Sequence, residues 1–302
     1  MVVTEKKPKV SVCVVTYNQE KYIRQCLQSI VDQETDFDFE VIVSDDCSMD
    51  GTCAIVQEFV EKYPGMVKPI FHDRNMGAYK NFVFIHEQAN GEYIAHMDGD
   101  DYALPGKLQI QADYLNANDQ YNIVWHRMFI KNESSGVIVE DLIDMQMIPK
   151  NGFDRADLLR FMAIGLNSSK MYRSASKNFN TPPFPVMDYF VNVEQVGVKR
   201  ANFVSGFPLG VYRSGIGVAS AGSTTKVLLS KSFVYFSRKY PEYTKEINTA
   251  ALLLFFADLK HFRWSALIFL RVWLVTFKSR SLFDLWKYRR IFAMLRFPKS
   301  VR

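Results

Sequence analysis

Val10–Thr16 reads VSVCVVT, a short and mostly β-branched apolar run that ends in a polar cluster, Thr16-Tyr17-Asn18. A run so short and apolar on both faces fits a strand covered from both sides. An amphipathic stretch follows, with Tyr22, Ile23, Cys26, Leu27, Ile30 and Val31 at the three- and four-residue spacing of a helix. The couplet then repeats. Glu40–Ser44, Val67–Phe71, Tyr93–Met97 and Asn122–His126 read as further strands. Helical patterns separate them: one opened by Asp50-Gly51-Thr52, one over Ala78–Asn90, and one running on from Leu104-Pro105-Gly106 through Leu115. Strands separated by helices imply βαβ units with right-handed crossovers. The expected fold class is therefore α/β, a Rossmann-like, mostly parallel sheet flanked by helices.

In such sheets ligands bind beyond the carboxyl ends of the strands. The polar clusters fall there: Thr16-Tyr17-Asn18, Asp45-Asp46 and Asp98-Gly99-Asp100-Asp101. Two carboxylates straddling a glycine at a strand end suit a nucleoside diphosphate held through Mg²⁺ or Mn²⁺. Such cations prefer hard oxygen ligands and often take only one or two carboxylates beside phosphate oxygens. Gly99 is expected to let the backbone come close to the ligand. A solvated acidic turn, or helix capping by Asp45 and Asp46, is the plainer alternative.

Formal net charge is +5 over 302 residues. That balance does not supply the basic face that nucleic acid requires. Cys13, Cys26, Cys47 and Cys53 form no CxxC pair and read as free thiols, in keeping with a reducing compartment. The N-terminal MVVTEKKPKV lacks the apolar run of a signal peptide, so a cytoplasmic location is expected. The five histidines make no HxH or HExxH spacing. His96, inside a strand, reads as a packed histidine.

The strings VSVCVVTYNQEKYIRQCLQSI, FEVIVSDDCSMDGT, RNMGAYKN and GEYIAHMDGDD, spread over about Lys9 to Leu115, resemble the N-terminal half of the family 2 glycosyltransferases, which have the GT-A fold. The resemblance implies an inverting transfer from a nucleoside diphosphate sugar, with UDP favoured by family frequency. Thr16, Tyr17 and Asn18 match the family's first loop. Asp46 matches the acid that hydrogen-bonds the base. Asp98 matches the first acid of the DxD motif, near ribose or sugar, and Asp100 the metal-binding acid. Asp101 would be a supporting or sugar contact. Lys80 could reach the donor nucleotide, or be an ordinary exposed helix lysine.

The reaction also needs a general base to take the acceptor's proton. The family places it in a short acidic motif opening a helix. Here that segment is Val186-Met187-Asp188-Tyr189-Phe190, which makes Asp188 the candidate because Met187 replaces the preceding acid. Helix capping is its plainer role, and Glu194 is the fallback. Gly165–Ser169 resembles the segment lining the acceptor site. The string GVKRANFVSGFPLGVYRSGIGVAS resembles the family's closing strand and its flexible loop over the diphosphate, from which Arg213 could assist leaving-group departure.

The expected domains are a catalytic one over 1–222 and a helical, basic, aromatic-rich region over 223–302. The first divides into a nucleotide-binding half, 1–120, and an acceptor-binding half, 121–222. Within the second, Trp264–Phe277 is almost wholly apolar apart from Arg271, yet shorter than the roughly 20 residues that cross a bilayer. Beyond Leu259 the chain is dense in Lys and Arg, and Asp284 is its one acid. Basic residues mixed with Trp and Phe suit contact with anionic lipid; a solvated helical hairpin is the alternative. The expected partners are a nucleotide-sugar donor and a glycan or lipid-linked acceptor of bacterial surface-polysaccharide assembly, met by a protein peripheral on the inner face of the plasma membrane. Two other readings compete. One is a non-catalytic sugar-nucleotide-binding subunit, kept open by Met187. The other is a nucleotidyltransferase, which the absence of a Gly-rich loop after the first strand disfavours.

Overall fold

The computed structural model describes residues 7–179, 182–216 and 223–296. Residues 217–222, the centre of the expected closing loop, lie outside the described residues, as do Lys299, Arg302 and most of the N-terminal decapeptide. The described residues fall into two compact units. One is drawn from Met1–Asp141, Gly165–Lys177 and Ala201–Ser214, and the other from Leu142–Ile164, Asn178–Arg200 and Gly215–Arg302.

The first unit is built on a single mixed sheet. Its strands are β1 (Val10–Thr16), β2 (Phe39–Asp45), β3 (Val67–Phe71), β4 (Tyr93–Asp98), β5 (Tyr102–Ala103), β6 (Tyr121–Asn132), β7 (Ile138–Glu140), β8 (Met171–Arg173) and β9 (Arg200–Ser214). The order is β3-β2-β1-β4-β8-β6-β9-β5, with β7 paired to β6. The β3-β2-β1-β4 half is parallel. Strand β8 then pairs antiparallel with both β4 and β6. Helices α1 (Ile23–Val31), α2 (Thr52–Lys62), α3 (Ala78–Gln88) and α4 (Lys107–Ala117) supply the crossovers.

The β-branched strand residues explain the core. Val10, Val12 and Val14 of β1 and Val41 and Val43 of β2 pack with Ile23, Leu27 and Ile30 of α1 and Val56 and Phe59 of α2 in one buried cluster. Parallel register brings the strand ends level. Thr16 lies opposite Asp45, and Val15 opposite Asp98. Strands β6 and β7 form an antiparallel hairpin, with Ile130 opposite Val139. A 3₁₀ turn over Asn167–Ser169 leads into the short β8.

The second unit is helical: α5 (Arg155–Phe161), α6 (Asp188–Val196), α7 (Ser223–Lys239), α8 (Thr244–Leu259), α9 (Ser265–Val275) and α10 (Ser281–Arg296). Helix α8 packs against α5, α7, α9 and α10. Aromatic contacts fill the space between α6 and α7. Phe190 stacks on Phe236 at 4.6 Å, and Tyr189 meets Phe233 and Phe236 edge-on. Large aromatic areas of this kind dominate core energetics. Among the described residues no helix is long and apolar enough to cross a membrane.

Candidate functional site

Two loops form a platform beyond the strand ends. Asn18 has φ of 51°, a left-handed conformation that Asn tolerates better than most residues. This turn aims its side chain across to the loop after β2, where Oδ1 accepts the Met49 N–H at 2.8 Å. The Asn18 N–H donates to Ser48 Oγ, and that of Gln19 to Thr52 Oγ1, both at 2.8 Å. Glu20 accepts the Gly51 N–H at 2.7 Å. Asp45, buried at the end of β2, accepts from the Ser48 N–H and hydroxyl at 2.7 and 2.6 Å. It orients the backbone of the loop after β2. Tyr17 and Asn18 are left exposed above this platform, while Thr16 is buried beneath it.

Asp46 is buried and holds the next loop. Its two oxygens accept the N–H groups of Met76 at 2.7 Å and Gly77 at 2.9 Å. Gly77, at φ 87°, takes a conformation open to glycine. Each Asp46 oxygen keeps further lone-pair capacity. Lys80 is exposed on the first turn of α3.

The acidic cluster is the most constrained part of the site. Asp98 and Asp100 are half-buried, and Asp101 is fully buried. His96 Nε2 lies 3.1 Å from Asp98 Oδ1. Behind it, His96 Nδ1 lies 2.9 Å from His86 Nε2, and His86 Nδ1 lies 2.7 Å from the Tyr172 hydroxyl. An ionised Asp98 accepts from His96 Nε2–H, and His86 and Tyr172 back that ring from behind. Burial, and then the charges of His96 and nearby lysines, drive the His86 pKa well down, so that ring is neutral. Ser168 completes the grip. Its hydroxyl accepts the Asp98 N–H at 3.0 Å and donates to Oδ2 at 3.3 Å. Burial opposes ionisation of Asp98, but hydrogen bonds from His96 and Ser168 and the positive charge of Lys107 hold its carboxyl below the usual value.

Asp100 behaves in the opposite way. Burial, then the negative charge of Asp98, push its pKa up to about 7. Neighbouring carboxylates with pKa values driven apart mark a site short of positive charge. A divalent cation between Asp98 and Asp100 would make up that shortfall, so this donor set fits Mg²⁺ or Mn²⁺. Among the described residues no group of three or more His, Cys, Asp or Glu side chains could hold a metal. Two carboxylates suffice for a cation whose remaining ligands are phosphate and water.

Gly99 has a different use from the one its position suggested. A Cβ there would come within 2.5 Å of Gln19 Oε1 and 3.0 Å of the Thr16 side chain. The space that glycine leaves is filled by the protein's own first loop. Gln19 in turn accepts from Thr16 at 2.8 Å and hydrogen-bonds Asp100.

Asp101 and Arg213 answer to structure. Asp101 has no exposed surface and accepts the backbone N–H of Arg213 at 2.8 Å. It ties the acidic loop to β9, a supporting contact. The buried Arg213 guanidinium donates to Glu133 at 2.8 Å, to the carbonyl of Asp100 and to Gln25. It lies 5.0 Å from the ring centres of both Tyr22 and Tyr102. From sequence this arginine could assist leaving-group departure; three of its nitrogens are engaged within the protein. Lys107, also buried, donates to the Ser168 carbonyl at 2.6 Å and stands behind the cluster.

Asp188 is the first residue of α6, in the second unit. Its Oδ1 accepts the N–H of Tyr189 at 2.8 Å, and a carboxylate in a first helical turn is favoured by the helix dipole. Glu194 is the fallback base from sequence. It is buried, accepts from Lys239 at 2.8 and 2.9 Å, and is further bound by Tyr240 and Asn178. Sequence reasoning missed His86, Gln19 and Lys107, and placed Ser168 with the acceptor segment, not beside Asp98. Only the placement of His96 two residues before Asp98, on the same strand face, offered a signal.

Similarity to known proteins follows the same lines. Over 117 residues the chain is 39% identical to an uncharacterized protein of Mycobacterium tuberculosis; the match spans 38% of this chain and 34% of that protein's length. It is 29% identical over 265 residues to EpsH, a proposed glycosyltransferase of Bacillus subtilis, covering 82% of this chain and 75% of EpsH. Among solved structures, TarS 1-349 of S. aureus in complex with UDP-GlcNAc superposes with a TM-score of 0.64 at 20% identity, over 95% of this chain and 87% of that one. The mannosyltransferase PcManGT of Pyrobaculum calidifontis, in complex with GDP-Man and Mn²⁺, gives 0.61 at 17% identity, over 96% and 86%. Both likenesses show the GT-A fold. The glycosyl transferase family 2 model matches residues 11–171. That match takes in more than half of the chain and ends at the strand behind Ser168, so the chain belongs to glycosyl transferase family 2.

Proposed function

We propose that this chain is an inverting glycosyltransferase. It moves a sugar from a nucleoside diphosphate sugar, with UDP as the preferred nucleotide, to a glycan or lipid-linked acceptor of surface-polysaccharide assembly. The observation that carries this reading is the oriented Asp98 beside an Asp100 whose carboxyl is pushed up to about 7. The donor complexes of TarS and PcManGT support a sugar-nucleotide ligand.

The platform of Tyr17 and Asn18 receives the nucleoside, and Asp46 accepts from the ring N–H of the base. Asp98 and Asp100 would hold Mg²⁺ or Mn²⁺, which when bound stabilises negative charge on the departing diphosphate. Lys80, exposed at the start of α3, adds a positive charge on the nucleotide side. Asp188 takes the proton of the acceptor hydroxyl. The acceptor oxygen then bonds to the anomeric carbon as the bond from that carbon to the diphosphate breaks on the opposite face. The products are the inverted glycoside, the nucleoside diphosphate and a protonated Asp188. Domain bounds of 1–222 and 223–302 go with this reading, the second holding the basic helices. Trp264, Phe283 and Trp286 are 86, 80 and 74% exposed there, and such aromatic side chains suit peripheral contact with a membrane surface.

The test is product formation from UDP-sugars in the presence of Mn²⁺ by wild type and Asp188→Asn. The reading requires transfer by wild type, and loss of transfer with donor binding retained in the variant. Donor binding without transfer or hydrolysis by wild type would make the chain a binding subunit.

A further inference from the structure

The second unit contains a cleft of about 970 Å³ between α7, α9 and the turn at Pro183-Phe184. Small-molecule sites span roughly 300–1,000 Å³, so this volume suits a ligand with a long chain. Its walls come from residues at helical spacing: Val227, Val234 and Tyr235 on α7, and Ile268, Val272 and Val275 on α9. Its charge is one-sided. Lys231, Arg238, Lys239 and Arg271 line it, and no acid does. Lys239 is neutralised by Glu194. Lys231, Arg238 and Arg271 are exposed. Arg271 is the single charge in the helix SALIFLRVWLV, and its place at this cleft accounts for the interruption seen in the sequence.

We propose that this cleft binds an anionic phospholipid of a membrane surface, with a hydrocarbon chain between α7 and α9 and its phosphate on Lys231, Arg238 and Arg271. The proposal deepens the membrane contact proposed above and rests on it. Charge complementarity selects the occupant. A neutral chain would leave three exposed cations unanswered, and a soluble phosphate would leave the apolar walls wet. The exposed Phe262, Trp264, Phe283 and Trp286 belong to the same unit, and such side chains favour the headgroup boundary where a lipid would enter.

The test is flotation of the full chain with vesicles of phosphatidylcholine, alone or mixed with phosphatidylglycerol, plus titration with a fluorescent lysophosphatidic acid. Wild type should bind only the mixed vesicles, and inorganic phosphate should not displace the fluorescent lipid. Arg271→Gln should weaken binding about fivefold, the effect of one basic residue at an anionic surface. Ser230→Trp, on the cleft wall, adds apolar surface yet should exclude the chain. It should lose lysophosphatidic acid while its melting temperature stays that of wild type. If wild type floats with the mixed vesicles and both variants bind like wild type, the membrane contact stands and the cleft proposal is overturned. Equal binding to phosphatidylcholine alone overturns it too. If wild type floats with neither vesicle, the membrane reading itself fails.

Discussion

His96 Nε2 and Asp98 Oδ1 are 3.1 Å apart on one face of β4. The contact is the outer end of a buried Tyr172–His86–His96 chain. Histidine rings locked from behind are a general way to fix an acidic ligand's geometry, and loss of such support typically costs 10–100-fold in affinity or activity. His96→Ala should therefore lower kcat about tenfold or more with little change in the donor KM. His86→Ala should do the same more weakly, and should lower stability by ~1–3 kcal/mol, because His96 Nδ1 is left buried and unpaired. Steady-state kinetics and urea unfolding read the two effects separately.

Gly99→Ala should act on the donor loop. The new methyl meets Gln19 Oε1 at 2.5 Å and the Thr16 side chain at 3.0 Å, so Gln19 must leave its place between Thr16 and Asp100. The expected result is a raised donor KM with the fold intact. Adding Gln19→Ala, which vacates the space, should recover part of the loss in the double variant.

Arg213→Ala tests whether the arginine is a clamp. Its guanidinium joins Glu133, Gln25 and the Asp100 carbonyl across β9 and the acidic loop. Glu133, only partly buried, keeps Lys131 as a partner at 2.9 Å, and hydrogen bonds to charged groups are worth ~1.5–3 kcal/mol. A fall of that size in unfolding free energy is expected. An Arg213→Ala protein as stable as wild type but slow in transfer would return the residue to the leaving group.

Lys107 gives a pH dependence with a definite sign. Burial depresses its pKa to about 8, against the opposing pull of Cys26, Asp101 and Asp98. Between about pH 8 and the ordinary lysine value of about 10.4, the unfolded chain binds the extra proton and the folded one does not. Stability then rises with pH through that window. The comparison is wild type against Lys107→Met: the difference in urea midpoint should move in favour of wild type as the pH increases from 8 to 10.

The parallel half of the sheet was legible because its signals are local. Runs such as VSVCVVT and EVIVS declare buried strands, and the acids at their ends need no long-range information. Strand β5 was not legible, since two residues carry no period. The support for the acidic cluster was not legible either. Asp98 meets Ser168 70 residues away, and Arg213 meets Asp100 113 residues away; no spacing rule brings such pairs together. Gly99 was recognised as necessary for a close approach, but the partner in that approach is the first loop. Asp101 shares the run with Asp98 and Asp100, yet differs from them in burial, which an acidic string does not reveal.

The central claim is that Asp98 and Asp100 hold the donor diphosphate through a divalent cation. Thermal shift with UDP, run with Mn²⁺ and again with EDTA, tests it on wild type and Asp100→Asn. A ligand that binds only the folded state raises the melting temperature. Wild type should gain stability from UDP with Mn²⁺ and not with EDTA, and Asp100→Asn should gain none in either condition. An equal UDP shift with and without the metal, or a variant that responds like wild type, would contradict the account.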